Sequence, residues 1–216
     1  MQTMAANSLE VPTVLQWLQN CADTYVLHKD ELTQLDAAIG DADHGANMAR
    51  GFTAVQGKLA GLKDNDVGSI FKTVAMTLIS TVGGASGPLY GTFFLQAAGG
   101  ASGKLTLTHD ETVTAFLAGL QGLMKRGKAV VGEKTMVDAL VPALEALKPI
   151  KNDSLAAAVD RAVTAAKKGA DSTVPLVAKK GRASYLGERS AGHLDPGAAS
   201  SVLLLEALQR AIHSTA

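Results

Sequence analysis

The 216-residue chain is poor in cysteine and aromatic residues, and it has no net charge. Cys21 is its single cysteine, which excludes an intrachain disulfide and favours a reducing, cytoplasmic location. Twenty basic residues balance twenty acidic ones, so overall charge draws the chain neither to nucleic acid nor to an anionic membrane. Aromatic residues make up only 4% of the chain, which disfavours a strand-rich fold because strands prefer aromatic and β-branched side chains.

The chain also lacks an unbroken hydrophobic run that could cross a membrane. Residues 73–103 are uncharged, but the segment Gly83-Gly-Ala-Ser-Gly-Pro88 divides them into two pieces. A membrane-spanning helix needs about 20 apolar residues in a row, so each piece is too short. Residues 1–12 contain Glu10 and have no basic region before an apolar run, unlike a signal peptide. We therefore expect a soluble protein that does not contact a membrane.

Apolar residues recur at helical spacing along most of the chain, and no alternating strand pattern persists. This pattern predicts a single all-α domain of residues 1–216. Eight helices are expected: 8–30, 45–61, 66–82, a fourth through 89–97, 108–127, 135–147, a seventh capped by Asp153 or Ser154, and an eighth from Pro196. Short connections make neighbouring helices antiparallel, so the loops after the first, third, fifth and seventh helices should share one rim.

The first of these loops contains three aspartates, Asp36, Asp41 and Asp43. Two carboxylates about 4 Å apart repel by about 4 kcal/mol near a protein surface, a cost that a bound cation removes. Oxygen ligands of this kind suit Mg²⁺, which commonly takes its other ligands from phosphates. An EF-hand is excluded because its twelfth position would be Phe52. The alternative is a solvated turn that caps the next helix, which is the commoner role of an isolated Asp-x-Asp pair.

The other three loops offer groups that suit a nucleotide. The glycine loop 83–88 opens a helix, whose free N–H groups can bind phosphate, although glycine there can also serve close packing. Neither a P-loop nor a dinucleotide fingerprint is present. Arg182 can bind an anion with its fork-shaped guanidinium, whereas the neighbouring lysines suit a solvated basic loop. Met136 can form the floor of a base pocket or fill core, and His44 can contact phosphate or orient Asp41. The turn Asp195–Gly197 can cap a helix or border a ribose.

Five motifs in this order resemble one known family, the ADP-binding L subunits of bacterial dihydroxyacetone kinases driven by the phosphoenolpyruvate phosphotransferase system. The resemblance covers essentially the whole chain. The motifs are Ile39-Gly-Asp-Ala-Asp-His-Gly-Ala-Asn47, Gly83-Gly-Ala-Ser-Gly-Pro-Leu-Tyr-Gly-Thr92, Arg126-Gly-Lys128, Gly132-Glu-Lys-Thr-Met136 and Gly181-Arg-Ala-Ser-Tyr-Leu-Gly-Glu-Arg-Ser190.

The resemblance implies a barrel of eight antiparallel up-and-down helices with ADP on one rim. It implies that three aspartates bind two Mg²⁺ ions: Asp36, Asp41 and Asp43. It further implies that twelve residues bind the nucleotide: His44, Gly45, Ala46, Asn47, Ala85, Ser86, Gly127, Met136, Arg182, Asp195, Pro196 and Gly197. In this family ADP/ATP is a retained cofactor. A phosphohistidine of the M subunit phosphorylates the ADP, and the ATP formed phosphorylates dihydroxyacetone held covalently on the K subunit.

The resemblance thus identifies the chain as one subunit of a phosphotransferase that acts only with K and M partners. Two alternatives remain open from sequence. The nucleotide state of the subunit could be sensed by a transcription factor, as a regulatory partner. The chain could also serve a helical-domain kinase that acts on a different substrate.

Overall fold

The computed structural model describes residues 7–150 and 153–215, and this part of the chain is mostly helical, which confirms the all-α prediction. The α-helices are α1 (Val11–Leu27), α2 (Lys29–Ile39), α3 (His44–Gln56), α4 (Val67–Thr81), α5 (Ser86–Ala101), α6 (His109–Gly127), α7 (Met136–Ala146), α8 (Leu155–Asp171) and α9 (Pro196–Thr215). Two 3-10 segments, Leu59–Leu62 and Arg182–Ser190, and two short strands, β1 (Ser8–Glu10) and β2 (Thr106–Thr108), complete the described elements.

The helix predicted over 8–30 is shorter in the structure, and a further helix follows it where a loop was predicted. Residues 8–10 form β1, α1 ends at Leu27, and α2 begins at Lys29 and continues to Ile39. The start of α2 is favourable because Asp30 and Glu31 occupy its first turn, where carboxylates interact favourably with the helix dipole. Asp36 therefore belongs to the last turn of α2 and not to a loop.

The two short strands form an antiparallel pair that sequence periodicity does not predict. Leu9 lies opposite Leu107, and both side chains are fully buried. Each strand is only three residues long, too short to show an alternating pattern.

Capping side chains mark the starts of α4, α6, α7, α8 and α9. Asp66 accepts a hydrogen bond from the N–H of Ser69 at the start of α4. Thr108 and Glu111 form the expected reciprocal capping box of α6. Ser154, and not Asp153, caps α8. The predicted end of the second helix at Gly61 is wrong, because α3 already ends at Gln56 and Gly61 lies in a 3-10 segment.

Consecutive helices pack on one another from α3 through α9, and α9 packs on α1, which in turn contacts α3. The exception is α2, which packs mainly on α3, on α9 and on the 3-10 segment Arg182–Ser190. At the centre of the core, the ring of Trp17 lies 5.6 Å from those of Phe94 and Phe116. Its indole N–H donates to the carbonyl oxygen of Leu204 at 2.9 Å, which ties α1 to α9. Among the described helices, none combines the length and the apolar character that crossing a bilayer demands.

Candidate functional site

A cavity of about 400 Å³ lies where the ends of several helices meet, within the range typical of small-molecule sites. Residues from all four loops that were predicted to share a rim line it. The lining includes the three candidate metal ligands and nine of the twelve candidate nucleotide residues: His44, Ala85, Ser86, Gly127, Met136, Arg182, Asp195, Pro196 and Gly197.

The three aspartates meet at one end of this cavity. One carboxylate oxygen from each of Asp36, Asp41 and Asp43 lies within 4.8 Å of the other two. Asp36 is buried, and its Oδ2 accepts hydrogen bonds from the N–H groups of Asp43 at 2.8 Å and His44 at 3.1 Å. Gly40 leaves room for this carboxylate, because a Cβ atom there would lie 2.0 Å from Asp36 Oδ1. The chain turn thus fixes Asp36, while Asp41 and Asp43 are exposed to solvent.

Arg182 reaches the same end of the cavity. Its Nε lies 2.9 Å from Oδ2 of Asp41, and the Arg182 side chain is two-thirds exposed. An ion pair this exposed contributes at most about 1 kcal/mol to stability. The guanidinium of Arg182 therefore lies beside the acidic cluster, and its ion pair with Asp41 holds it only weakly.

His44 connects the acidic cluster to two other helices. Its Nδ1 lies 3.0 Å from Oγ of Ser86 at the start of α5, and its Nε2 lies 2.9 Å from Oγ of Ser200 on α9. Burial lowers the pKa of His44, against an opposing effect of Asp36 and Asp43. The ring is therefore neutral at pH 7, so one nitrogen donates a hydrogen bond and the other accepts one.

Beneath His44 lies a buried hydroxyl network that sequence reasoning missed. The hydroxyl of Tyr90 lies 2.8 Å from Oγ of Ser200 and 3.0 Å from Oγ of Ser201, and burial raises the pKa of Tyr90 to about 12. Serine and tyrosine inside helices give no local signal of such a contact. Only the packing of α3, α5 and α9 brings these groups together.

Three candidate nucleotide residues, Gly45, Ala46 and Asn47, are not in the cavity lining. At Gly45 a Cβ atom would lie 1.9 Å from the carbonyl oxygen of Lys29, so this glycine allows α3 to pack closely on α2. Asn47 is buried, and its side-chain oxygen accepts a hydrogen bond from the guanidinium of Arg50. Ala46 is half-buried on the same helical turn. Their roles toward a nucleotide stay predictions.

The cavity lining also contains apolar side chains and one buried carboxyl group. The apolar residues include Leu89, Leu123, Ala129 and Met136. Asp195 Oδ2 accepts a hydrogen bond from the N–H of Ala198 at 2.7 Å, as a helix cap does. Burial raises the pKa of Asp195 to about 7, although the nearby Lys134 opposes the shift.

The cavity lining also contains Lys134, which the sequence analysis did not single out. Its side chain is only 1% exposed, whereas lysine is rarely buried. The residue has a left-handed backbone with φ of 61°. It belongs to the motif Gly132-Glu-Lys-Thr-Met136, but no local sequence pattern predicts that its side chain is buried.

The donor set fits a divalent cation that holds a phosphorylated ligand. Clustered carboxylates suit a hard cation. The first residues of α3 and α5 line the cavity next to the cluster, and helix N-termini favour phosphate groups. The apolar part of the cavity lining suits a flat ring system.

Comparisons with known proteins agree with this chemistry. Residues 38–210 match the DAK2 domain family. The chain is 47% identical over 203 residues to the ADP-binding subunit DhaL of the PEP-dependent dihydroxyacetone kinase of Escherichia coli, covering 93% of this chain and 97% of the relative. It is 46% identical over 200 residues to the corresponding subunit of the PTS-dependent kinase of Lactococcus lactis, with the same coverage.

A solved structure shares the fold. The dihydroxyacetone kinase from C. freundii in complex with AMP-PNP and Mg²⁺ superposes with a TM-score of 0.70 at 28% identity. The match covers 91% of this chain and 33% of that kinase, so the present chain spans about a third of it. Taken with the family match and the two relatives, this shows that the chain belongs to the DAK2 domain family and, within it, to the ADP-binding subunits of dihydroxyacetone kinases.

Proposed function

We propose that this chain is the cytoplasmic ADP-carrying subunit of a phosphotransferase-system-dependent dihydroxyacetone kinase. In this proposal the subunit retains ADP, receives a phosphoryl group from the phosphohistidine of an M subunit, and delivers it to dihydroxyacetone bound covalently on a K subunit. The subunit is then active only with both partners.

The observation that carries this proposal is one cavity whose lining combines an acidic cluster with apolar side chains. In this proposal Asp36, Asp41 and Asp43 hold two Mg²⁺ ions. The other residues proposed to hold the nucleotide are the twelve named above, from His44 to Gly197. Among them, Met136 and the Asp195–Gly197 turn would contact the base and ribose.

Phosphoryl transfer requires positioning and charge stabilisation rather than covalent help from the protein. Bound Mg²⁺ would neutralise the negative charge of the phosphates. The chain itself fixes Asp36 through two backbone N–H groups and holds His44 neutral between two hydroxyls. The guanidinium of Arg182 can turn from Asp41 to an anion at little cost, since their ion pair is exposed.

We also propose that eight helices, all except α2, form a closed antiparallel barrel within a single domain of residues 1–216. The order of helix contacts supports this, because it runs from α3 through α9 and returns by α1 to α3. Such a closed arrangement would bring alternate connections to one rim, in accord with the loops that line the cavity.

Asp41→Asn tests the metal assignment. The variant should lose Mg²⁺ and bind ADP at least about 10-fold more weakly, because one of three clustered ligands loses its charge. It should stay folded, since the substitution relieves repulsion between carboxylates. The measurement is the mass and amount of nucleotide that co-purifies, alongside circular dichroism. Asp23→Asn on the exposed face of α1 is the matched control. Stoichiometric ADP in the Asp41 variant would contradict the assignment.

Reconstitution tests the reaction itself. Purified subunit, mixed with K and M partners and a phosphohistidine donor, should form dihydroxyacetone phosphate, and omission of this subunit should abolish product. Activity toward another sugar but not dihydroxyacetone would reassign the substrate and leave the nucleotide site in place.

A further inference from the structure

Lys134 holds three separate stretches of chain together through its ammonium group. Its Nζ donates to the carbonyl oxygens of Thr173 at 2.6 Å and Val174 at 3.4 Å, and to that of His193. The first two follow the C-terminus of α8, and the third precedes α9. Lys134 itself lies in the loop 128–135 between α6 and α7. The three carbonyl oxygens surround the ammonium group as the ligands of a bound monovalent cation would. We call these three oxygens the carbonyl cage.

The two segments that Lys134 joins lead into neighbouring parts of the cavity lining. Met136, two residues after Lys134, belongs to one part, and the Asp195–Gly197 turn, which begins two residues after His193, belongs to the other. A Cβ atom at Gly197 would lie 3.5 Å from Cβ of Met136, so these two parts lie side by side. The N–H of Asp195 also donates to Oγ1 of Thr173 at 3.0 Å. The carbonyl cage and the Asp195 turn thus share Thr173 as a support.

The backbone at Lys134 shows that its position is imposed by these contacts. A non-glycine residue with φ of 61° is strained and persists where its surroundings fix it. The adjoining residues are fixed as well, because the buried carboxylate of Asp138 accepts hydrogen bonds from the N–H groups of Gly132 at 2.5 Å and Thr135 at 2.8 Å.

We propose that Lys134 is a positioning residue for nucleotide retention: its ammonium occupies a carbonyl cage that locks the 128–135 loop to the turn entering α9. The lock keeps Met136 and the adjacent Asp195–Gly197 turn in fixed positions against a bound nucleotide, so that its loss would speed nucleotide release. This role rests on the proposed function, because it assumes that the cavity holds a nucleotide.

Lys134→Met tests the proposal, since methionine keeps an unbranched side chain but removes the charge and the N–H donors. ADP should dissociate from this variant at least about 10-fold faster than from the wild type, as measured by a chase with unlabelled ADP. Lys128→Met is the matched control, because Lys128 lies in the same loop with a left-handed φ of 49° but is exposed. The control should retain ADP like the wild type.

Hydrogen exchange separates positioning from general destabilisation. In Lys134→Met, exchange should rise in residues 172–178 and 191–197 but not in residues 36–47. An equal rise in all three segments, or wild-type ADP dissociation, overturns the proposal. If Lys134→Met does not fold, Lys134→Gln, which keeps two N–H donors, should release ADP faster than the wild type, and an unchanged rate overturns the proposal.

Chemical rescue gives an independent readout. Ethylammonium should slow ADP release from Lys134→Ala, because it can donate hydrogen bonds in the vacated cage, whereas tetramethylammonium should not, because it has no N–H group. If the two ions had equal effects on ADP release, the proposed role of the carbonyl cage would be wrong. A wild-type subunit that never retains ADP would refute the proposed function, while the exchange comparison would still test the lock.

Discussion

The candidate metal site contains three aspartates in different surroundings: Asp36, Asp41 and Asp43. Asp36 is buried and accepts two backbone hydrogen bonds, whereas the other two are exposed. Burial and hydrogen bonding leave Asp36 a single orientation, so we infer that it sets the place of a cation. Asp41 and Asp43 can adjust to that cation because solvent surrounds them.

Gly40→Ala tests how strictly Asp36 must be placed. A Cβ atom there would lie 2.0 Å from Oδ1 of Asp36, so the carboxylate must move away from the other two aspartates. We expect loss of co-purifying ADP and a decrease of about 1–3 kcal/mol in the free energy of unfolding. Nucleotide content and urea denaturation are the measurements.

The control for this substitution is Gly61→Ala. Gly61 is exposed, and no atom lies within 4 Å of a Cβ placed there. The control should keep its nucleotide. If the Gly40→Ala variant kept its ADP, the orientation of Asp36 would not determine metal binding.

At the scale of elements, short-range chemistry predicts where helices begin. Thr108 with Glu111, and Pro196 in the first turn of α9, appear in the structure as predicted. The helix α2 was missed because Leu32, Leu35 and Ile39 are the only large apolar residues among its eleven. The end of α3 was misplaced because a glycine marks a possible helix stop without requiring one.

Thr108→Ala should lower stability without affecting the site. The substitution removes the hydroxyl that accepts a hydrogen bond from the N–H of Glu111, which should lower the free energy of unfolding by about 1 kcal/mol. For a protein of this size the melting temperature should fall by about 2–4 °C. ADP retention should not change, because Thr108 does not line the cavity. Thr108→Ser keeps the acceptor and should melt near the wild type; an equal loss in both variants would rule out the cap as the cause.

At the scale of the whole molecule, the buried carboxyl of Asp195 makes stability depend on pH. Burial raises its pKa to about 7 in the folded chain, from 3.8 when unfolded. Between these values the unfolded state loses the proton and the folded state keeps it, so this group favours unfolding increasingly as pH rises from about 4 to about 7. Two charged groups, Lys134 and Asp138, modify the shift in opposite directions.

Asp195→Asn should remove this dependence. Compared with the wild type, the variant should become progressively more stable as pH rises from about 4 to about 7 because asparagine does not ionise, and each pKa unit corresponds to about 1.4 kcal/mol. Urea unfolding at several pH values, on protein stripped of divalent ions with EDTA, measures the difference. A difference that stays constant with pH would mean that Asp195 ionises in the folded chain as readily as in the unfolded one.

The helical class, most helix starts and the loops that meet at the cavity are predictable from local sequence, because caps and periodicity act over a few residues. The motifs around Asp41, Ser86 and Arg182 also identified the family. Three features appear only in the folded chain: Asp36 lies in the last turn of a separate helix, Gly45 allows close helix packing, and Lys134 is buried among carbonyl groups. These features depend on contacts between distant segments, which no local pattern encodes.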